Sequence, residues 1–462
     1  MTASRRRPPD LTARVAALDV LEAIEADRGH SNALLAALPA GMPERDRALA
    51  TELVYGVLRQ RSQLDAAVGA ASSRPLAQID RPLLDILRIA AYQILFLSRV
   101  PWAAAVDEAV GVARQRAGRA ASAFANGVLR ALCRKQEEGS VTWRLPRPEK
   151  EADLGALSAW LAQETSFAGF LVDRFLKRHG PEEGEALLRT MNLPAPMVLR
   201  VGSQRRDPAD LAQGLRNEGV ETEPSPLPIR ALRVRKGVPQ RTALFRSGAF
   251  YIQDEASQIV AMLLEPLRPD ERLVDLCAAP GGKILQVASA AGTPLPFMVA
   301  ADRNVARLRK IRENARRGGI EGIHLVAMDA GLPALTGRFE RVAVDAPCSG
   351  TGVIRRHPEI RWRISPALIE RHAERQARTL RAALELLAPG GRLVYSVCSL
   401  EPEEGPAHVD AILRERQDVR LLDARGILPE ALHHLVNPRG MLETLPHRHD
   451  MDGFFAAVLS LC

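Results

Sequence analysis

RVAVDAPCSGTG (341–352) and RLVYSVCSL (392–400) are built alike: a short β-branched, apolar run ends in a small polar loop that carries a cysteine. A buried strand that ends this way is where an open α/β sheet displays its chemistry. Cys348 in the first loop and Cys398 in the second therefore predict one shared site. One thiol that attacks and a second that completes the reaction is what methylation at C5 of cytosine requires. That carbon becomes nucleophilic only after something adds to C6, and a thiolate is the side chain best suited to add there.

Outward from these loops, strand-like and helix-like segments alternate from about residue 246 to the end. LVDLCAAPGGK (273–283) leads into a helix, FMVAAD (297–302) into NVARLRKIRENARRGG (304–319), and IHLVAMD (323–329) into a loop. The first cysteine strand feeds the long helix SPALIERHAERQARTLRAALELLA (365–388). The second feeds EPEEGPAHVDAILRER (401–416), and DGFFAAVLSL (452–461) reads as a last buried strand. This order predicts a doubly wound sheet with ligands at the C-terminal strand ends.

The turn Cys277-Ala278-Ala279-Pro280-Gly281-Gly282-Lys283 lies between a strand and a helix. Its glycines let backbone approach a ligand, and a helix N-terminus favours anionic groups. A P-loop would need Gly at 277 and Ser or Thr at 284, where Cys277 and Ile284 stand, and GxGxxG is absent. Asp302 ends the next strand, about 20 residues beyond Gly282, where an acidic residue accepts from ribose hydroxyls in nucleoside-binding sheets. Asp329 ends the third strand and is a candidate for the adenine amino group. Each Asp alone reads as a cap or turn former. Together with the glycine turn they predict an adenosyl cofactor.

Upstream, residues 1–135 read as all helix. LTARVAALDVLEAIEA (11–26) places Val15, Leu18, Val20, Leu21 and Ile24 near one face, and RALATELVYGVLR (47–59) continues the pattern. KQEEGSVTWRLPRPEKE (135–151) reads as a linker, so 136–151 separates domains. Residues 152–245 mix helices with strand-like PMVLRVGS (196–203) and IRALRVRKG (229–237), a small α+β module. The catalytic domain is expected over 246–462.

The 462-residue chain carries a net charge of +8 and only 4% aromatic residues. The charge suits a polyanionic partner, and scarce aromatics point to phosphate contact through arginine rather than stacking on a sheet. Five cysteines, with no CxxC pair and no zinc-finger spacing, predict no structural metal and a reduced cytoplasmic setting. No membrane span or signal peptide is expected, and the basic start MTASRRRPPD reads as a disordered tail.

PGGK, DAPCSGTG and YSVCS in this order resemble the RNA cytosine-5 methyltransferases that use S-adenosylmethionine, as do YIQDEASQ (251–258) and the terminal DGFFAA. RALATELVYGVLR and FANGVLR resemble the helical RNA-binding domain of the antitermination factor NusB. The combination resembles the RsmB (Sun/Fmu) family of bacterial 16S (small-subunit) ribosomal RNA methylases along nearly the whole chain. Ile284 departs from the family's usual Thr, Val397 from the Thr of YSTCS, and EPEEGPAHV from the usual Asn-Glu after Glu-Glu. None of these removes a reactive group.

The resemblance implies an all-α NusB-like domain, the α+β module and a Rossmann-like S-adenosylmethionine-dependent sheet. It implies that Cys398 attacks C6, that Cys348 assists proton removal and release, that Asp345 binds N3 and the exocyclic amine, and that Lys283 orients Asp345 or polarises the ring. The cofactor would sit on 277–283 with Asp302, Asp329 and Asp345. Chemistry alone leaves either sulfur as nucleophile, since DNA cytosine methylases attack from a Pro-Cys motif, here Cys348. RRHPEIRWRIS (355–365) is expected as a surface loop near the site, with Arg355, Arg356, Arg361 and Arg363 on phosphates and His357 and Trp362 in packing roles. Other readings are a transfer-RNA cytosine-5 methylase and a non-catalytic RNA-binding assembly factor. A monomer is the default.

Overall fold

The computed structural model describes residues 12–140, 143–149, 153–202, 206–292 and 294–462. The basic start and parts of the expected linker lie outside these. The chain forms two compact units, one of the residues up to Leu193 plus Ile354–Arg363, the other of Pro194–Val353 plus Ile364–Cys462.

The first unit is helical: α1 (Ala13–Glu25), α2 (Ser31–Ala36), α3 (Glu44–Ala71), α4 (Arg81–Phe96), α5 (Trp102–Glu137), α6 (Leu154–Glu164) and α7 (Gly169–Thr190). Thr12 caps α1 through its side chain, and of the five residues the periodicity placed on one face Leu18, Val20, Leu21 and Ile24 are buried while Val15 is only half-buried. The core is formed by α1, α3, α4 and α5, and Trp143 from the expected linker is buried in it. α3 and α4 pack closely because Gly56 lacks a side chain. A Cβ there would meet the Tyr92 ring at 2.0 Å.

The segment Ile354–Arg363 corrects the surface-loop expectation. It is built into the helical unit, where its charges satisfy helix ends. Arg361 is fully buried with its guanidinium 4.2 Å from the Phe167 ring centroid. It donates to the Thr165 carbonyl at the end of α6 (3.1 Å), and to the Met191 carbonyl (3.2 Å) and Asn192 Oδ1 at the end of α7. Arg363 donates to the Ile24 carbonyl in the last turn of α1 and to the Gly29 carbonyl. Glu359, also buried, accepts from the Ser31 N–H (3.0 Å) and hydroxyl (2.8 Å) at the start of α2. Cations thus meet orphan carbonyls and the anion meets an orphan N–H, the arrangement the helix dipole favours. Arg361 and Arg363 are therefore committed to the fold rather than to phosphates. Trp362 packs on the helical core, as expected, and donates from Nε1 to the Leu58 carbonyl.

The second unit begins with an antiparallel sheet of β1 (Met197–Val201), β2 (Glu221–Pro224), β3 (Ala231–Lys236) and β4 (Phe250–Ile252), ordered β2-β3-β1-β4. Helix Pro208–Asn217, capped by Asp207, buries Leu211 and Leu215 in this module's core. The larger sheet contains β5 (Arg272–Asp275), β6 (Phe297–Asp302), β7 (Ile323–Ala327), β8 (Phe339–Asp345), β9 (Leu387–Val397), β10 (Val419–Leu422), β11 (Leu442–Thr444) and β12 (Phe454–Leu461). Its order is β10-β12-β9-β8-β5-β6-β7, with β11 on β12. β5 to β9 run parallel, and β12 is antiparallel to β9 and buried throughout. The strand order reverses between β5 and β8, and a doubly wound sheet opens its ligand crevice at such a point. Among the described residues, no helix is long and apolar enough to cross a membrane.

Candidate active site

Parallel register sets Asp345, the last residue of β8, beside Ser396 of β9. Each chain then turns off the sheet within three residues, and the Cys348 and Cys398 sulfurs come within 3.2 Å of each other. The structure brings the two predicted thiols together at neighbouring strand ends. Both cysteines are half-buried and free. The Cys348 thiol is pushed well above its usual value, first by its hydrogen bond with Cys398 and then by burial.

Asp345 is held from both sides. Lys283 Nζ lies 2.7 Å from its Oδ2, and Ser396 Oγ donates to its Oδ1 at 2.8 Å. Lys283 comes from the first turn of helix Gly282–Ala291 and is largely buried, with its ammonium 5.2 Å from the Phe454 ring centroid. The pair spans β5 and β8, where the strand order reverses.

The turn 277–283 winds tightly at the end of β5. Gly281 adopts φ 103°, which favours glycine, and the Gly281 N–H donates to the Ala278 carbonyl at 2.7 Å. Asp275, missed in the sequence although it stands in LVDLC, is buried beneath the turn and accepts the Cys277 N–H at 3.1 Å. Burial, and then the nearby Asp345, push its carboxyl to about 7. Burial also raises the Cys277 thiol, which suits an inert side chain.

Asp302 ends β6. It accepts from the Asn304 N–H at 2.8 Å and pairs with Arg307 at 3.2 Å. Asp329, just beyond β7, is exposed and accepts the Gly331 N–H at 2.8 Å. Both carboxylates thus serve their own turns, the bland reading of each, while standing at successive strand ends.

Glu404 was not singled out in the sequence, and it braces both cysteine loops. Fully buried, it accepts from the Ser349 N–H (2.8 Å), the Ser349 and Ser399 hydroxyls and Gln376 Nε2 (3.1 Å). Ser349 and Ser399 each directly follow one of the two cysteines. The sequence signal was the acidic EPEE run after the second strand. Gly352 completes the loop: its N–H donates to the Cys398 carbonyl, and a Cβ would fall 1.9 Å from the Gly453 carbonyl.

Three family models match successive stretches: NusB over residues 11–134, the RsmF/B-like ferredoxin-like domain over 167–241, and the 16S rRNA methyltransferase RsmB/F over 261–460. The chain is 34% identical to the probable ribosomal RNA small subunit methyltransferase B of Bacillus subtilis, over 95% of this chain and 96% of that one. The chain belongs to the RsmB/F family of ribosomal RNA small-subunit methyltransferases. It is likewise 34% identical to the ribosomal RNA small subunit methyltransferase B of Vibrio cholerae, over 97% of this chain and 98% of that one. The crystal structure of PH0851 shares the fold, with a TM-score of 0.79 and 23% identity, over 98% of this chain and 100% of that one. NSun6 from Pyrococcus horikoshii with SFG aligns over 63% of this chain and 97% of that one, with a TM-score of 0.56 and 23% identity.

The RsmB/F family depends on S-adenosylmethionine. The donor set here fits that cofactor: a glycine turn at a helix N-terminus for a carboxylate, then carboxylates at the next two strand ends for hydroxyls and an amine.

Proposed function

We propose that this family member methylates C5 of one cytosine in small-subunit ribosomal RNA through a covalent bond between Cys398 and C6. The observation that carries the reading is the pair of sulfurs 3.2 Å apart at the ends of β8 and β9. A single nucleophile needs no second thiol. A reaction that must first add at C6 and later remove the C5 proton has work for both.

In this mechanism the Cys398 thiolate forms the S–C6 bond, and the C5–C6 π electrons shift to give a nucleophilic C5. Asp345 accepts from the exocyclic amine and shares a proton with N3, which stabilises the charge that develops as sulfur adds. Lys283 keeps Asp345 oriented through the 2.7 Å ion pair, and Ser396 fixes its other oxygen. Bound S-adenosylmethionine would provide the methyl electrophile that C5 attacks, its sulfonium leaving as the neutral thioether. Residues 277–283 would hold it with Asp302, Asp329 and Asp345. Cys348, as its thiolate, then takes the C5 proton, and the electrons left at C5 restore the C5–C6 double bond as the S–C6 bond breaks and frees Cys398 as a thiolate. Cys348 suits this later role because its sulfur lies 3.2 Å from the attacking one.

The target carbon is reached only in unpaired or flipped RNA. The helical unit and the antiparallel module would grip that RNA, and the protein acts as a monomer. The test is to incubate unmodified small-subunit RNA and transfer RNA with the protein and S-adenosylmethionine, then map 5-methylcytosine by bisulfite sequencing. A single protected cytosine in small-subunit RNA is expected. Protection in transfer RNA alone, or in neither, overturns the assignment.

A further inference from the structure

A second cleft, of about 210 Å³ and lined by both polar and apolar side chains, lies where the antiparallel module meets helices Glu255–Met262 and Gly282–Ala291. It is smaller than the roughly 300–1,000 Å³ of drug-sized ligand sites, so its size suits one ring system. Arg200 of β1 and Glu265 line it. Arg200 is 4% exposed, its guanidinium lies 4.6 Å from the Tyr251 ring centroid, its Nε donates to Gln253 Oε1 at 2.7 Å, and its Nη2 is buried with no hydrogen-bond partner among the described residues. An unpaired buried guanidinium nitrogen costs stability unless a ligand completes it.

The other polar groups of the cleft are largely engaged. Gln258 Nε2 donates to the Gln253 carbonyl, and Ser289 Oγ to the Gly202 carbonyl. Gln286 Nε2 donates to the Gln258 carbonyl at 2.9 Å and to Glu265 Oε1 at 3.3 Å, which leaves Glu265 Oε2 available. Val201, Ile229 and Met262 add apolar wall. A suitable ligand therefore has a flat apolar body, an acceptor edge for Arg200 and a donor edge for Glu265. Arg230, whose Nη2 donates to the Arg206 carbonyl, is a second cation of the lining, so it is the donor edge called for by Glu265 that favours a base over a phosphate. Guanine carries O6 and N7 acceptors on one edge and adjacent N1–H and N2–H₂ donors on the next, and Arg to O6/N7 is a favoured pairing.

We propose that this cleft takes a guanine base, supplied by the RNA close to the target cytosine. The RNA as its source rests on the methylase reading. Gln286 and Ser289 lie three and six residues beyond Lys283 on the same helix, which is about 5–9 Å along its axis. The cleft is thus within two helical turns of the thiol site's lysine and would hold a neighbouring nucleotide while the target base is out of its stack.

The full-length protein would be titrated with guanosine, adenosine and cytidine 5′-monophosphates by calorimetry, as wild type, Glu265→Gln and the cleft-filling Met262→Trp. The expected result is at least tenfold preference for the guanosine nucleotide, lost in both variants. In methyl-transfer assays Glu265→Gln should raise KM for RNA at least fivefold with kcat nearly unchanged. No guanosine preference together with wild-type KM in Glu265→Gln overturns the cleft while leaving the methylase reading intact. Guanosine binding that depends on Glu265 in a protein that methylates no RNA upholds the guanine site, makes a free nucleotide its ligand, and overturns the methylase reading instead.

Discussion

Lys283 Nζ lies 2.7 Å from Asp345 Oδ2 and joins the helix after β5 to the end of β8, across the point where the strand order reverses. Lys283→Met removes the cation and leaves Asp345 held only by Ser396. Methyl transfer should fall by about a hundredfold or more, the range seen when an oriented charge-stabilising group is lost. Steady-state kcat checks this, with circular dichroism to show that the fold persists. Activity within threefold of wild type would remove Lys283 from the mechanism.

Asp275 makes stability depend on pH. Its carboxyl titrates near 7 when folded, against 3.8 when exposed. Between those values the folded state holds a proton that the unfolded state has lost, so stability falls as pH rises from about 4 to about 7 and then levels off. Asp275→Asn keeps an acceptor for the Cys277 N–H and removes the titration. The melting temperature of the variant relative to wild type should be higher at pH 8 than at pH 5. A constant difference across that range would show that Asp275 does not titrate there.

Glu404 hydrogen-bonds Ser349 and Ser399, the residues next to the two thiols, so it is a positioning residue. Glu404→Gln keeps the shape and loses the charge that strengthens four hydrogen bonds. Urea unfolding should show a loss of about 2 kcal/mol. Methyl transfer should fall more than tenfold, with KM for S-adenosylmethionine little changed. Unchanged kcat would confine Glu404 to stability.

Two glycines of the helical unit should respond in opposite senses. Gly56→Ala drives a Cβ into the Tyr92 ring and disturbs the 2.6 Å bond from Tyr92 to Glu52, a loss of about 1–3 kcal/mol. Gly111→Ala in exposed α5 meets nothing within 4 Å and should gain up to about 1 kcal/mol from helix propensity. Chemical denaturation of both variants checks the pair, and equal shifts would contradict the close packing of α3 and α4.

The fold was legible wherever periodicity and strand ends carried the information. Leu18 and Ile24 marked a buried helical stripe, and the apolar runs before Cys348 and Cys398 marked β8 and β9. The meeting of the two thiols was legible because neighbouring parallel strands end at one edge. Arg361 was misread because a run of arginines resembles a solvated phosphate-binding face. Nothing local in RRHPEIRWRIS shows that the ends of α6 and α7, 196 and 170 residues upstream, offer carbonyls that a buried guanidinium can satisfy. Glu404 and Asp275 were missed for a related reason. A buried acid is recognised by its partners, and these come from elements distant in sequence.

The most direct measurement is a denaturing gel of protein incubated with small-subunit RNA and S-adenosylmethionine, comparing wild type, Cys348→Ala and Cys398→Ala. The account predicts a stable protein–RNA adduct with Cys348→Ala, where release fails, and none with Cys398→Ala, where attack fails. An adduct that persists in Cys398→Ala and disappears in Cys348→Ala would contradict it and make Cys348 the nucleophile.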